Sequence, residues 1–175
     1  MTNQRQKIVF QIRQATESDE DAINAINRRA WAGGITTHEL LEQRHGRLNN
    51  QDWRERITSA VGEHLARPDV TTFVAEHQGK VIGFAAAQID QQPPAEMGTV
   101  SYNAVDPDYQ RQGVGTALIE HVIAFLEAQG AHVLNVVTVE TDEPVKHIYE
   151  RLGFEKLTSL IYYSKDCQAR GQGDS

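Results

Sequence analysis

The most constraining feature of this 175-residue chain is a glycine-bearing turn between a predicted strand and its longest predicted helix. The turn reads YQRQGVGT from 109 to 116 and comes after a predicted strand, residues 98–105, that Asp106 and Pro107 stop. Large apolar side chains then recur at helical spacing from 113 to 130. A helix begins with unpaired amides and a partial positive charge, so glycines that permit close approach there form a phosphate cradle. Taken alone, the same glycines also fit a tight turn without a ligand.

The residues after the second glycine exclude two classes of nucleotide site. A P-loop requires Gly-Lys and then Ser or Thr, whereas Gly115 is followed by Thr116 and Ala117. The dinucleotide fingerprint requires a third small residue where this chain has Leu118. The turn is therefore not the phosphate loop of an NTPase or of an NAD or FAD protein.

The remainder of the chain predicts one mixed α/β domain over residues 1–165 with a partly antiparallel sheet, followed by a flexible tail at 166–175. The predicted order is β-α-α-β-β-β-α-β-α-β. Its elements are a strand at 8–15, a helix after it, interrupted helical segments at 36–68, a hairpin at 71–88, a strand at 98–105, a helix at 113–130, a strand at 132–139, a helix at 144–152 and a last strand at 157–164. The nearly continuous apolar run at 132–139 predicts a strand buried on both faces.

Charge and composition narrow the function classes. The net charge of −7 lacks the basic footprint of a nucleic-acid-binding protein, so we expect no nucleic-acid partner. No run approaches the roughly 20 apolar residues of a membrane span, so we expect no membrane association. The single cysteine, Cys167, has no partner for a disulfide or a Cys-x-x-Cys site and suits the cytoplasm. His38, Glu39 and His45 lack metal-ligand spacing, so no metal is expected.

Three segments resemble the GNAT acetyltransferase superfamily. The pattern Gln110-x-x-Gly113-x-Gly115 after a strand is similar to the pyrophosphate-binding motif of that family. VDPDY directly before the pattern resembles the family's strand-to-loop entry, and YERLGF at 149–154 resembles its last helix and turn. The order of elements is also similar, so the resemblance covers nearly the whole predicted domain.

The resemblance implies acetyl-CoA as cosubstrate, bound in a cleft where strand 98–105 diverges from strand 132–139. It implies that Tyr149 protonates the leaving thiolate, as a phenol near pKa 10 can at neutral pH. Asp142 and Val145 stand where many members carry Asn and Ala, and we expect Asp142 to cap the helix instead. The residues implied to bind the cosubstrate are Ala104, Val105, Gln110, Arg111, Gln112, Gly113, Val114, Gly115 and Thr116.

The implied activity is direct transfer of an acetyl group to a primary amine, with a small molecule as the leading acceptor. Two alternatives are acetylation of a protein N-terminus or lysine, and a catalytically silent acetyl-CoA-binding sensor. An edge strand at 157–164 could also pair two copies into a homodimer. No general base is identified in 98–105. Its unranked candidates elsewhere are Glu39, Glu42, His45, Glu76, His77 and Glu96.

Overall fold

A computed structural model describes residues 8–31, 36–89 and 97–167 of the chain. The strands are β1 (Gln11–Gln14), β2 (Val70–His77), β3 (Lys80–Ile89), β4 (Met97–Val105) and β5 (Val133–Val136). The helices are α1 (Glu20–Ala30), α2 (Thr37–His45), α3 (Trp53–Leu65), α4 (Val114–Ala128) and α5 (Glu143–Arg151). Among the described residues no helix is long and apolar enough to cross a membrane.

The five strands form one mixed sheet in the order β1-β2-β3-β4-β5. The first three pairings are antiparallel, and β4 pairs with β5 in parallel across the α4 crossover. The α/β class and the partly antiparallel sheet, which the sequence predicted, are confirmed. Gln78 and Gly79 turn the hairpin between β2 and β3 with φ of 51° and 76°.

Helices cover both faces of the sheet. One core lies beneath α4, with Leu118, Ile119, Val122 and Leu126 fully buried against Ile82 and neighbouring alanines. A second core lies beneath α1 and α3, where Ile26, Ile57 and Val61 pack against Val74 and Phe84. Burial on both faces explains why β3 is almost wholly apolar between Val81 and Ala87.

The predicted last strand at 157–164 is wrong: this segment is irregular and exposed. The predicted order of elements also contained two helices before the hairpin, whereas the structure has three. The strand predicted at 132–139 is reduced to four residues of β5, and it is not buried on both faces, since Val133 and Val137 are mainly exposed. The two strand errors have one cause. Within the described residues no strand pairs with the outer edge of β5. The apolar run at 132–139 therefore lies at the margin of the sheet.

An ion pair at the entry to α1 predicts an acid-sensitive contribution to stability. Arg13 donates to both carboxylate oxygens of Asp19 at 2.7 and 2.8 Å, and the carboxylate is buried. These bonds hold the pKa of Asp19 well below its ordinary value. A lowered folded-state pKa adds stability that is complete above the unfolded pKa of about 3.9 and is lost as pH falls toward the folded value.

We therefore expect Asp19→Asn to lower the free energy of unfolding by about 1.5–3 kcal/mol at neutral pH. The difference from the wild type should narrow as pH falls from about 4 to about 2. Urea denaturation at both pH values measures it. A difference that stays constant over this range would show that the carboxylate's charge contributes nothing.

Candidate active site

The parallel pairing of β4 with β5 covers only half of β4. Met97 to Val100 pair with Val133 to Val136, and the ladder stops there among the described residues. Within the described residues, β4 after Val100 pairs with β3 and with no strand on its other side. The predicted divergence of the two strands is therefore present, and it leaves backbone N–H and C=O groups at this edge available to an extended ligand.

A β-bulge sets the direction of the side chains in this free half. On β3 only Ala86 lies between Ala85 and Ala87, whereas two residues of β4, Ser101 and Tyr102, lie between their partners. Tyr102 and Ala104 then pack with the core beneath α1 and α3. Asn103, between them, points to the other face of the sheet, where α5 lies.

The predicted phosphate cradle forms the beginning of α4. Gly113 is the N-cap with φ of 85°, and no side-chain cap bond is formed there. The first helical bond runs from Ala117 N to the Gly113 carbonyl oxygen at 3.0 Å, so the amides of residues 114–116 have no partner within the helix. Gly115 faces Val105, and a Cβ placed on it would lie 3.5 Å from Val105 Cγ2. The beginning of α4 thus abuts the end of β4.

Side chains of the predicted cradle shape the loop. Gln110 donates to the carbonyl oxygen of Val105 at 3.1 Å, and Gln112 donates to that of Asp108 at 3.3 Å. Thr116 Oγ1 accepts from Arg151 at 2.8 Å, which ties α4 to α5. The remaining predicted positions have other roles: the Ala104 and Val114 side chains are buried in the cores, and Arg111 adopts a positive φ of 59°. Most of these side chains are thus engaged within the protein, whereas the backbone amides of residues 114–116 have no partner within the helix.

A buried carboxylate, which no sequence pattern indicated, braces this loop. Asp106 is 3% exposed and accepts two bonds of 2.9 Å from Arg29, at the end of α1. Arg29 also binds Asp108, and the Asp108 amide donates to Asp106 at 3.0 Å. The loop is therefore anchored to α1 at the point where it leaves β4. Arg29 and Asp106 are 77 residues apart, so no local pattern joins them.

Tyr149 lies on α5 with 6% of its surface exposed, and its ring packs edge-on against Phe154 at 5.6 Å. Its hydroxyl oxygen accepts a hydrogen bond of 3.0 Å from Asn103 Nδ2. Burial raises the pKa of Tyr149 to about 12, although the Asn103 bond acts in the opposite direction. The phenol is thus protonated at neutral pH. The structure brings it to the free half of β4, and no sequence pattern indicated its bond to Asn103.

Asp142 is the N-cap of α5, where it accepts from the Val145 amide at 3.4 Å. This is the capping role expected for it. Burial raises the pKa of this half-buried carboxyl group.

The candidate bases have contacts remote from Tyr149, and Glu96 lies outside the described residues. Glu42 pairs with Arg56 and Glu76 with Arg13, while His45 Nε2 lies 2.9 Å from Ser164 Oγ. Glu39 accepts from Gln43, and His77 Nδ1 lies 2.6 Å from the Val9 carbonyl oxygen. The structure brings none of these described side chains into contact with the Tyr149 hydroxyl.

A cluster of aromatic side chains lies on the opposite face of the sheet from Tyr149. Trp31 and His64 both contact the ring of Tyr102, with centroid distances of 6.4 and 5.2 Å. Trp53 is 7% exposed in the core beneath α1 and α3. In the described part of the chain no group of three or more His, Cys, Asp or Glu side chains is arranged to hold a metal ion.

The fold combines a partly separated parallel strand pair with a glycine-capped helix beside it. Residues 34–154 match the Acetyltransferase (GNAT) family. The chain belongs to this family.

Three comparisons show how far the similarity extends. The [ribosomal protein bS18]-alanine N-acetyltransferase of Escherichia coli K12 is 38% identical over 107 residues, covering 61% of this chain and 66% of that protein. The crystal structure of the E. coli enzyme aligns with a TM-score of 0.63 and 27% identity over 86% of this chain and 80% of the other. A mycothiol acetyltransferase of Propionibacterium freudenreichii is 29% identical over 89% of this chain but only 46% of that protein. The chain thus spans about half to two thirds of these curated relatives.

A second solved structure shares the fold at 22% identity. It is the AAC(6')-Iy in complex with the bisubstrate analog CoA-S-monomethyl-acetylneamine, with a TM-score of 0.63 over 91% of this chain and 99% of the other.

Proposed function

We propose that this protein transfers the acetyl group of acetyl-CoA directly to a primary amine, with a small cationic molecule as the acceptor. The observation that carries the proposal is the convergence of three features at one point of the sheet. These are the free half of β4, the glycine-capped beginning of α4, and the buried phenol of Tyr149. The net charge of −7 favours a cationic acceptor.

The residues present fit acetyl-CoA in two ways. The unpartnered amides at the beginning of α4 suit a pyrophosphate, and the positive helix end favours its charge. The open edge of β4 around Ala104 and Val105 suits the peptide-like amides of the pantetheine arm. In this assignment the backbone from Arg111 to Thr116 holds the pyrophosphate. Gln110 and Gln112 hold the loop in shape through their bonds to Val105 and Asp108.

When bound, acetyl-CoA supplies an activated acetyl thioester. Departure of its thiolate requires a proton, and Tyr149 is the donor that the site offers, because its pKa of about 12 keeps it protonated. The acceptor amine must be neutral to react, and no side chain beside Tyr149 is assigned as its base. Cys167 is exposed near the end of the described residues, so we propose no acyl-enzyme step.

The proposal is tested first by melting temperature against acetyl-CoA concentration, with ATP and NAD as controls. Binding to the folded state alone adds about 2.7 kcal/mol at 100 times Kd. For a chain of this size that corresponds to a rise of roughly 5–10 °C. Coenzyme A should also stabilise the protein, because it carries the same pyrophosphate and pantetheine. An equal response to ATP, or no response to acetyl-CoA, would contradict the assigned cleft.

A second candidate acceptor is the N-terminal amine of a protein, favoured by the 38% identity to the E. coli enzyme that acetylates an alanine of bS18. Thiol release measured with a panel of polyamines, aminoglycosides and alanine-starting peptides separates the two. Preference for a peptide by kcat/KM would replace the small-molecule proposal. Binding of acetyl-CoA without turnover for any amine would favour the sensor function.

We also propose one domain over residues 1–165, working in the cytoplasm. Both cores pack on a single sheet, and the chain's one cysteine suits a reducing compartment. Residues 168–175 of the predicted tail lie outside the described residues.

A homodimer is the oligomeric state that we expect. The segment 157–163 carries five large apolar side chains that are each more than three-fifths exposed, and Val133 in β5 and Val137 directly after it are also exposed. Such surface is typical of an interface, and a strand of one copy can pair with an open edge of another. Light scattering after gel filtration should give twice 19.6 kDa. Ile161→Lys should give the monomer, while Val9→Lys, on an even more exposed side chain, should not. A wild-type monomer at every dilution would refute the expectation.

A further inference from the structure

We propose that Asn103 is a positioning residue for acetyl transfer, which fixes the direction of the Tyr149 hydroxyl proton through a hydrogen bond to the phenolic oxygen. Asn103 Nδ2 lies 3.0 Å from Tyr149 Oη across 46 residues of sequence. The inference rests on the proposed function, specifically on Tyr149 as the proton donor to the leaving thiol.

The bulge in β4 places Asn103 on the face of the sheet that carries Tyr149. Its neighbours Tyr102 and Ala104 pack on the other face. A shift of one residue would exchange the two faces, so the extra residue in β4 determines that an amide, not an aromatic ring, meets the phenol. Other polar side chains of β4 bond within the sheet: Ser101 donates to the Ala86 carbonyl oxygen, and Thr99 donates to Asn135.

The chemistry of the two groups makes this bond directional. An amide NH2 donates and cannot accept, whereas a phenolic oxygen accepts through its lone pairs and donates one proton. While Asn103 donates, the Tyr149 proton cannot be returned to that nitrogen and stays available to another acceptor. Tyr149 is 6% exposed, so few water molecules reach its hydroxyl group to compete for the proton.

The same bond assists the proton transfer itself. As Tyr149 gives up its proton, the O–H bond breaks, an S–H bond forms on the leaving thiol, and negative charge develops on Oη. Donation from Asn103 stabilises that charge, which agrees with its lowering effect on the Tyr149 pKa against the larger effect of burial. The acceptor amine loses one proton on acylation, and this proton replaces the one that Tyr149 gave to the thiol.

The first experiment compares kcat and KM for Asn103→Ala, Asn103→Asp and the control Thr99→Val, which removes another side-chain bond of the same strand. We expect Asn103→Ala to lower kcat roughly tenfold, with the KM for acetyl-CoA nearly unchanged. Asn103→Asp should be more damaging, about a hundredfold, because a carboxylate only accepts and so captures the phenolic proton. Thr99→Val should retain kcat. If Asn103→Asp is the milder change, the amide does not donate and the proposal is wrong.

A double-mutant cycle separates this inference from the proposed function. In a Tyr149→Phe background Asn103→Ala should cause no further loss, because its effect passes through the hydroxyl. Full additivity would overturn the inference alone. An unchanged kcat for Tyr149→Phe by itself would instead overturn Tyr149 as the acid.

A spectroscopic readout needs neither turnover nor acetyl-CoA. Labelling the Cζ carbon of the five tyrosines gives five NMR resonances, and the one missing from Tyr149→Phe is that of Tyr149. The chemical shift of this resonance should change in Asn103→Ala and remain that of the wild type in Thr99→Val. A resonance that does not move in either variant would show that the bond is absent in solution. A far-UV CD spectrum and a melting curve for each variant confirm that it is folded.

Discussion

Tyr149→Phe is expected to lower kcat by a factor on the order of 10²–10⁴, the usual contribution of a positioned general acid. The KM for acetyl-CoA should change little, since the cradle at the beginning of α4 is untouched. The phenylalanine keeps the packing against Phe154, but it leaves the Asn103 amide without its acceptor. We therefore expect the free energy of unfolding to fall by only about 1–3 kcal/mol.

Tyr102→Phe is the matched control for this variant. Tyr102 is a tyrosine of β4 whose ring packs with His64 on the opposite face of the sheet. Its variant should retain turnover within about twofold, a change that corresponds to well under 1 kcal/mol in barrier. Equal losses in the two variants would mean that the phenol of Tyr149 has no special role.

Gly113→Ala is expected to weaken acetyl-CoA binding at least tenfold. Gly113 holds φ of 85° at the N-cap of α4, a conformation that costs an alanine about 1–2 kcal/mol. A Cβ there would meet nothing within 4 Å in the protein itself. Loss of affinity beyond the loss of stability would therefore reflect displacement of the ligand or of the loop that binds it. Isothermal titration with acetyl-CoA measures the affinity directly.

The other end of α4 offers a control with the same backbone strain. Gly130 follows the helix with φ of 93°, and a Cβ there would also meet nothing within 4 Å. Gly130→Ala should lower the melting temperature by about as much as Gly113→Ala, roughly 2–8 °C, and leave the acetyl-CoA affinity unchanged. Similar affinities in the two variants would remove Gly113 from the proposed cradle.

The ion pair between Arg29 and Asp106 shows why part of the site could not be predicted from the sequence. Arg29 and Asp106 are each unremarkable in their own segment, one at the end of a helix and one before a proline. Their contact requires α1 to lie across the end of β4. The Asn103–Tyr149 bond has the same character, because it depends on a bulge that no periodic pattern indicates.

The segment 157–164 shows the opposite error, because a strand was predicted there and none forms. Residues 157–164 have the side chains of a strand, and β propensity depends on having a sheet to join. In the described residues the segment finds no such partner and stays exposed. Local preference alone therefore predicted a strand where pairing decides the outcome.

Signals within a few neighbouring residues were enough to predict the hairpin at Gly79, the long helix α4, the glycine turn before it and the cap of α5 at Asp142. Each of these depends on φ, helix period or capping, which are local properties of the chain. Three other features appeared only in the folded molecule: β4 separates from β5 after Val100, Asn103 meets Tyr149, and Arg29 anchors the loop. They arise from contacts between distant segments, whose energies are set by packing and geometry that no local pattern encodes.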